Sequence, residues 1–303
     1  MKGTGTALSC ALAALLLGGC AVGDDTPILP PVTESVTEPS LDFDGSLEPA
    51  AAVLPLVPAD VATMTVTDFE QVRLQMGLQD LTTDDPRKDR DSFWARAEAE
   101  RPLLTTGILR PIESKLNQQF GLTQMDVDWE AHFFDEADQE TGYVVAFRDG
   151  TDMTAVQEAV DAGFVALQGA EVDSERGLLT LGTASSGEES WAADADIREK
   201  VGLPANATYV SRACADAPVT GDLQELEVYS IQFEGSLATA RLGAARSDLF
   251  TRMRLGEQVV DFDAGYEGGV ADPATGRIGY VMTDPAEAAR MAIGRDLPFV
   301  ACP

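Results

Sequence analysis

The chain has 303 residues, 45% of them hydrophobic and 24% charged, enough apolar material for an ordinary folded core. Its 51 acidic residues against 21 basic ones give a formal net charge of −30. That charge repels phosphate backbones, which excludes nucleic acid as a partner. Lysine is confined to Lys2, Lys88, Lys115 and Lys200. With the abundant alanine and glycine, this reads as compositional bias, and the acidity reads first as solubility and second as a preference for cationic ligands.

Lys2 precedes an apolar run from Ala7 to Leu17, about eleven residues and well short of the ~20 that a spanning helix needs. The run ends in Leu17-Gly18-Gly19-Cys20, which resembles the lipobox of bacterial lipoproteins. The resemblance covers only the first twenty residues or so. It implies that residues 1–19 are a signal peptide, that cleavage falls before Cys20, and that the Cys20 thiol receives a diacylglyceryl group. The chain is then expected to sit lipid-anchored on the outer face of the cytoplasmic membrane, the membrane being its partner through that anchor. Residues 20–57 are rich in proline, threonine, serine and glutamate. They read as a flexible stalk reaching on the order of 100 Å at ~3.1 Å per residue. Cys10 leaves with the signal, so Cys214 and Cys302 remain as a pair in an oxidising compartment, and a disulfide between them is expected.

The folded part is expected from residue 58. VATMTVTDF (61–69) has the composition of a strand, and Asp91-Ser92 can cap a helix through FWARAEAE that Pro102 ends. Pro111 opens a second helix, IESKLNQQF, with Gly121 at its end. In DVDWEAHFF, Val127, Trp129, Ala131 and Phe133 share one face, with Asp128, Glu130 and His132 on a solvated one, the pattern of a half-buried strand. DEADQETG turns the chain into a second strand, GYVVAFRD. The helix MTAVQEAV follows, capped by Thr151 or Asp152, and FVAL reads as another strand.

This order recurs near the C-terminus. LEVYSIQF and SDLFTRMRL make a strand and a helix, and FDAGYEGGV, ADPATG and RIGYVMTD make a hairpin. PAEAARMAI is a helix with Asp284 as cap, and FVAC closes the unit. Gly142-Tyr143-Val144 matches Gly279-Tyr280-Val281, and Phe164-Val165-Ala166 matches Phe299-Val300-Ala301. The expected class is therefore α+β: antiparallel sheets with helices on one face, arranged as two tandem ferredoxin-like βαββαβ halves, 58–204 and 205–303.

His132 is the only histidine, which removes most metal-ligand sets and leaves any Ser-His-Asp arrangement dependent on that one residue. Its strand position beside Asp128 and Glu130 points to a surface side chain, so no catalytic residue is assigned. Ser185-Ser186-Gly187 and the sequon Asn206-Ala207-Thr208 read as turns. Trp94, Trp129 and Trp191 read as core, and the acidic groups Asp135, Glu136, Asp138, Glu140 and Asp261, Asp263, Glu267 as solvated surface. No metal or cofactor is expected. The leading functional expectation is a non-catalytic envelope module that binds a protein or cell-wall component. A binder of a cation or small cationic solute comes next, then a hydrolase using two carboxylates.

Overall fold

The computed structural model describes residues 41–215 and 222–303. The expected signal segment 1–19, the expected lipidation site Cys20 and the first part of the expected stalk lie outside the described residues.

The described chain opens with α1 (Pro49–Ala52), then β1 (Thr63–Asp68) and the helices α2 (Phe69–Gln75), α3 (Arg87–Glu100) and α4 (Glu113–Phe120). The hairpin β2 (Val127–Phe134) and β3 (Glu140–Phe147) leads to α5 (Met153–Asp161). A short hairpin, β4 (Glu171–Asp173) and β5 (Leu178–Leu181), and α6 (Ala195–Lys200) follow. Then come β6 (Ala207–Ser211), β7 (Tyr229–Glu234), β8 (Leu237–Arg241), α7 (Leu249–Leu255) and α8 (Phe262–Gly265). The hairpin β9 (Tyr266–Asp272) and β10 (Arg277–Met282) and the helix α9 (Pro285–Ile293) complete the series.

All ten strands form one antiparallel sheet in the order β4-β5-β3-β2-β1-β6-β7-β8-β10-β9, so the class is α+β. Read outward from the central β1–β6 pair, the two sides have the same order: β1, β2, β3, β5, β4 and β6, β7, β8, β10, β9. The topology of each side is not βαββαβ. Such a unit inserts its third strand between the first two, whereas β1 pairs directly with β2. The fourth strand expected in each unit is a 3₁₀ turn instead, Val165–Leu167 and Pro298–Val300. Sheet position also matches β3 with β8, not with β10 as the Gly-Tyr-Val likeness suggests.

Several local expectations hold for the reasons given. Gly121 ends α4 with a left-handed φ of 70°, a conformation that costs glycine nothing. The Asp152 carboxylate accepts from the Thr154 N–H at the start of α5, and that of Asp284 from Ala286 and Glu287 at the start of α9. α3 starts one turn earlier than expected, at Arg87 after Pro86. The front of the expected FDAGYEGGV strand is the short helix α8.

The sheet is covered on both faces. On one face, α2 to α5 pack Phe69, Phe93, Trp94 and Leu116 against Tyr143, Val145 and Phe147. On that same face α7 to α9 pack Leu249, Phe262 and Ala288 against Ile231, Phe233 and Tyr280. The other face is covered along β1, β2, β3 and β6 by α1, α6 and the turns beside them, around Trp191. The end of the expected stalk is part of this second layer. Ala50, Val53, Leu54 and Val57 are buried and Phe43 packs against Trp129, so the folded unit takes in residues well before 58. The spacing of those four apolar residues makes one helical face, and burying a valine or leucine contributes about 1.5–3 kcal/mol. Trp94, Trp129 and Trp191 are all buried, as expected. Cys214 and Cys302 form a disulfide, their Cα atoms 5.1 Å apart. Among the described residues no helix is long and apolar enough to cross a membrane.

Candidate functional site

The β1–β6 junction carries polar side chains on both faces of the sheet, and the two faces differ in how those groups are satisfied. In an antiparallel ladder, residues directly opposite each other share a face. Thr65 of β1 lies between His132 of β2 and Tyr209 of β6, and Thr67 lies between Glu130 and Ala207. These side chains form a polar belt between the two apolar cores of the helical face.

His132 and Glu130 are buried in this belt, contrary to the solvated face expected from their alternation. The cause is the chain between α3 and α4, which folds over them. The Leu104 and Thr105 N–H groups donate to Thr67 Oγ1 at 3.2 Å, and the Ile108 N–H donates to both Glu130 oxygens at 3.1 Å. Gln124 Nε2 adds a 2.7 Å bond to Glu130. His132 Nε2 lies 3.2 Å from Glu130 and Nδ1 lies 2.5 Å from Glu140. Burial alone would lower the imidazole pKa, but the hydrogen bonds and charges of the two carboxylates outweigh it and hold His132 at about 9. His132 is thus an imidazolium with both nitrogens engaged.

Arg295 closes the outer end of the belt. It adopts a left-handed backbone, φ 55°, after α9. Its guanidinium donates to Asp138 Oδ1 at 2.6 Å, Thr63 Oγ1 at 3.1 Å and the Tyr209 hydroxyl at 3.4 Å. Two members of the acidic turn read as solvated surface, Asp138 and Glu140, therefore tie that turn to Arg295 and His132.

On the opposite face the register sets Val66, Thr208 and Gln232 in one row. Beyond this row the Asp68 N–H donates to the Asn206 carbonyl at 2.8 Å, the Asn206 N–H donates to the Phe233 carbonyl at 2.7 Å, and Asn206 Oδ1 accepts from the Gly235 N–H at 3.1 Å. Glu48, at the entry to α1, and Ala205 wall in a cavity of about 10 Å³ floored by Val66, Asp68 and Thr208, the room of about one water molecule. Asp68 caps α2, accepting from the Gln71 N–H at 2.8 Å. Burial raises its carboxyl to about 7 against that capping bond, and the charges of Glu70, Glu48 and Asp128 raise it further. Burial, helped by the Glu234 charge, also raises Glu48. Among the described residues Asn206 Nδ2 and both amide atoms of Gln232 are buried without a hydrogen-bond partner.

The cavity was not anticipated from sequence, although Ala207 and Thr208 of the sequon line it. Asn206 and Thr208, read as a turn, flank the start of the buried strand β6. Asp68 carried a usable signal, since Asp before the FEQVRLQ pattern is a helix N-cap. Asp261, Asp263 and Glu267 are exposed, and among the described residues no group of three His, Cys, Asp or Glu side chains could hold a metal ion. No family model, curated protein or solved structure matches the chain.

Proposed function

We propose that this chain is a lipid-anchored envelope lipoprotein that works by binding, and that it presents its folded unit on the outer face of the cytoplasmic membrane. The anchor rests on Leu17-Gly18-Gly19-Cys20, and the Cys214–Cys302 disulfide accords with an oxidising compartment. Binding, rather than catalysis by the only histidine, is favoured by one observation. His132 is held charged between Glu130 and Glu140 with both nitrogens engaged, so it is not placed to take a proton from a nucleophile. A two-carboxylate hydrolase is less favoured because the cavity shared by Asp68 and Glu48 has room for one water and no sugar ring.

The test is crosslinking in intact cells followed by capture of the tagged chain, with Cys20→Ala as the unanchored control. A partner retained by the wild type and lost from the control supports a tethered binding module. Wild-type and Cys20→Ala chains that fractionate alike, both soluble, would remove the anchor from the proposal.

A further inference from the structure

The two ends of the sheet are finished differently. β4, at one end, is three residues long and has α5 packed against it. β9, at the other end, is seven residues long, and among the described residues no strand pairs with its outer side. Two bonds fix which way its main chain points. The Leu242 N–H donates to the Gly276 carbonyl and the Met282 N–H to the Ser236 carbonyl, both on the β8 side of β10, whereas the Thr283 N–H donates to the Gly265 carbonyl on the β9 side. The odd-numbered residues of β10 therefore bond β9. Ala271, opposite Ile278, turns its N–H and C=O off the edge of the sheet. The register shift before Val270 limits this regular edge to Val270, Ala271 and Asp272. No lysine or proline, the residues that blunt an exposed edge, occurs in β9.

α7 lies over this edge. At Gly269 an added Cβ would come within 2.9 Å of Met253 Cγ, so the Met253 side chain rests on the strand. On one flank of α7, Arg252 reaches inward to the Phe299 and Ala301 carbonyls. Helical spacing sets Phe250 and Glu257 on the opposite flank, beyond the edge. Phe250 is 48% exposed there, beside the half-buried Met253. The helix then runs toward the start of β9, since Gly256 meets the Phe262 ring and Phe262 stacks on Tyr266. That end is acidic. Glu257, Asp261, Asp263 and Glu267 are exposed and, among the described residues, none is in an ion pair, against one exposed cation on α7, Arg254.

We propose that the β9 edge binds an extended, basic segment of a partner protein, which joins the sheet beside Ala271 with an apolar side chain against Phe250 and a lysine or arginine at the Glu267 end. This rests on the reading of the chain as a binding module and names its face and the chemistry of its partner. In such strand addition the main-chain bonds supply affinity, and alternate side chains supply selectivity. The open N–H and C=O of Ala271, the Phe250 and Met253 flank and the four carboxylates provide these in one strip. A second copy of the chain fits less well, because pairing β9 with itself brings together two chains of formal net charge −30 and sets no cluster of cations against those carboxylates.

The experiment is fluorescence anisotropy of a labelled peptide, acetyl-Thr-Val-Thr-Val-Thr-Lys-Lys-amide, titrated with the full chain in detergent. Two relatives of the peptide serve as controls, one N-methylated at alternate residues so that it cannot pair, and one with glutamate for lysine. Saturable binding of the first peptide and none of the controls is expected. Ala271→Pro removes the outward N–H, a change that an edge strand tolerates. It should weaken binding about tenfold while the melting temperature holds. Phe250→Asp should also weaken binding about tenfold, and Asp263→Asn with Glu267→Gln several-fold at low salt and less at high salt. Val165→Asp, at an exposed apolar residue of the turn before β4, should change nothing. No saturable binding of the first peptide, equal binding of the N-methylated one, or indifference to both Ala271→Pro and Phe250→Asp would each overturn the proposal. A dimer in sedimentation that Ala271→Pro dissociates would give the edge to a second copy and overturn it as well. Partner capture in cells separates this inference from the broader reading. A partner held equally by the Ala271→Pro chain removes the edge and leaves the tethered binding module standing, whereas no partner for the wild type removes the module itself.

Discussion

Asp68→Asn gives the sharpest test of the energetics at the junction. Asparagine caps a helix as well as aspartate, so the bond from Gln71 N–H survives and the main loss is the buried charge. Asp68 titrates at about 7 in the folded chain against an ordinary value of 3.8. For an acid whose folded pKa is raised, the folded state holds a proton that the unfolded state has released. Stability therefore falls as pH rises from about 4 to 7, and the full penalty is present above 7. That gap corresponds to roughly 4 kcal/mol at pH 8 and about 1.5 kcal/mol at pH 5. A chain of this size melts about 2–4 °C higher per kcal/mol. The variant should therefore melt roughly 10 °C above the wild type at pH 8 and only a few degrees above it at pH 5 in paired thermal scans. An equal gap at both pH values, or a variant that melts lower at pH 8, would refute a buried and charge-starved Asp68.

His132 predicts the opposite pH window. Its folded pKa of about 9 lies above the ordinary 6.5, so its stabilisation is full below about 6.5 and is lost as pH rises through 9. His132→Gln should cost roughly 3 kcal/mol at pH 6 and far less at pH 9.5 in urea titrations; a pH-independent cost would contradict the carboxylate clamp. Cys214→Ser should lower stability by about 2–5 kcal/mol, and peptide mapping without reductant should recover Cys214 linked to Cys302 in the wild type. Arg252 is fully buried, 2.6 Å from Asp248 Oδ2, and donates to the Gln224, Phe299 and Ala301 carbonyls. Arg252→Met should cost about 3–5 kcal/mol because Asp248 loses a partner in the interior. Adding Asp248→Asn should recover part of that loss, and strict additivity would argue against the pairing.

What sequence makes legible here is local. α9 reads cleanly because Asp284-Pro285 supplies a cap and a first-turn proline before an apolar stripe, and α4 ends where Gly121 can turn left-handed. The short apolar runs FVAL and FVAC fail because four residues fit a buried strand or a 3₁₀ turn equally well. β6 is hidden in a sequon, and β4 and β5 are too short to show a period. The helical spacing of Ala50, Val53, Leu54 and Val57 was present but masked by the prolines around it. The alternation in β2 correctly separates two faces, yet cannot say that α3, α4 and the chain between them bury the polar one.

The junction itself could not be read from any one segment, because its rows are assembled by register from β1, β6 and β7, residues up to 166 positions apart from Val66 to Gln232. Strands β1 and β6 take part in both polar faces, with β2 on the helical side and β7 on the other. On the helical face, Glu130 collects four donor contacts and His132 is engaged at both nitrogens, so that network can stabilise the fold without any ligand. The junction also holds a raised carboxyl on Asp68 and three amide atoms of Asn206 and Gln232 without a hydrogen-bond partner. Valine or leucine at Gln232 would remove the orphans at little cost, as it does wherever both partners of a buried contact become apolar. Gln232→Leu is accordingly expected to stabilise the chain in urea titration, and a less stable variant would show that the Gln232 amide holds a partner in the folded chain.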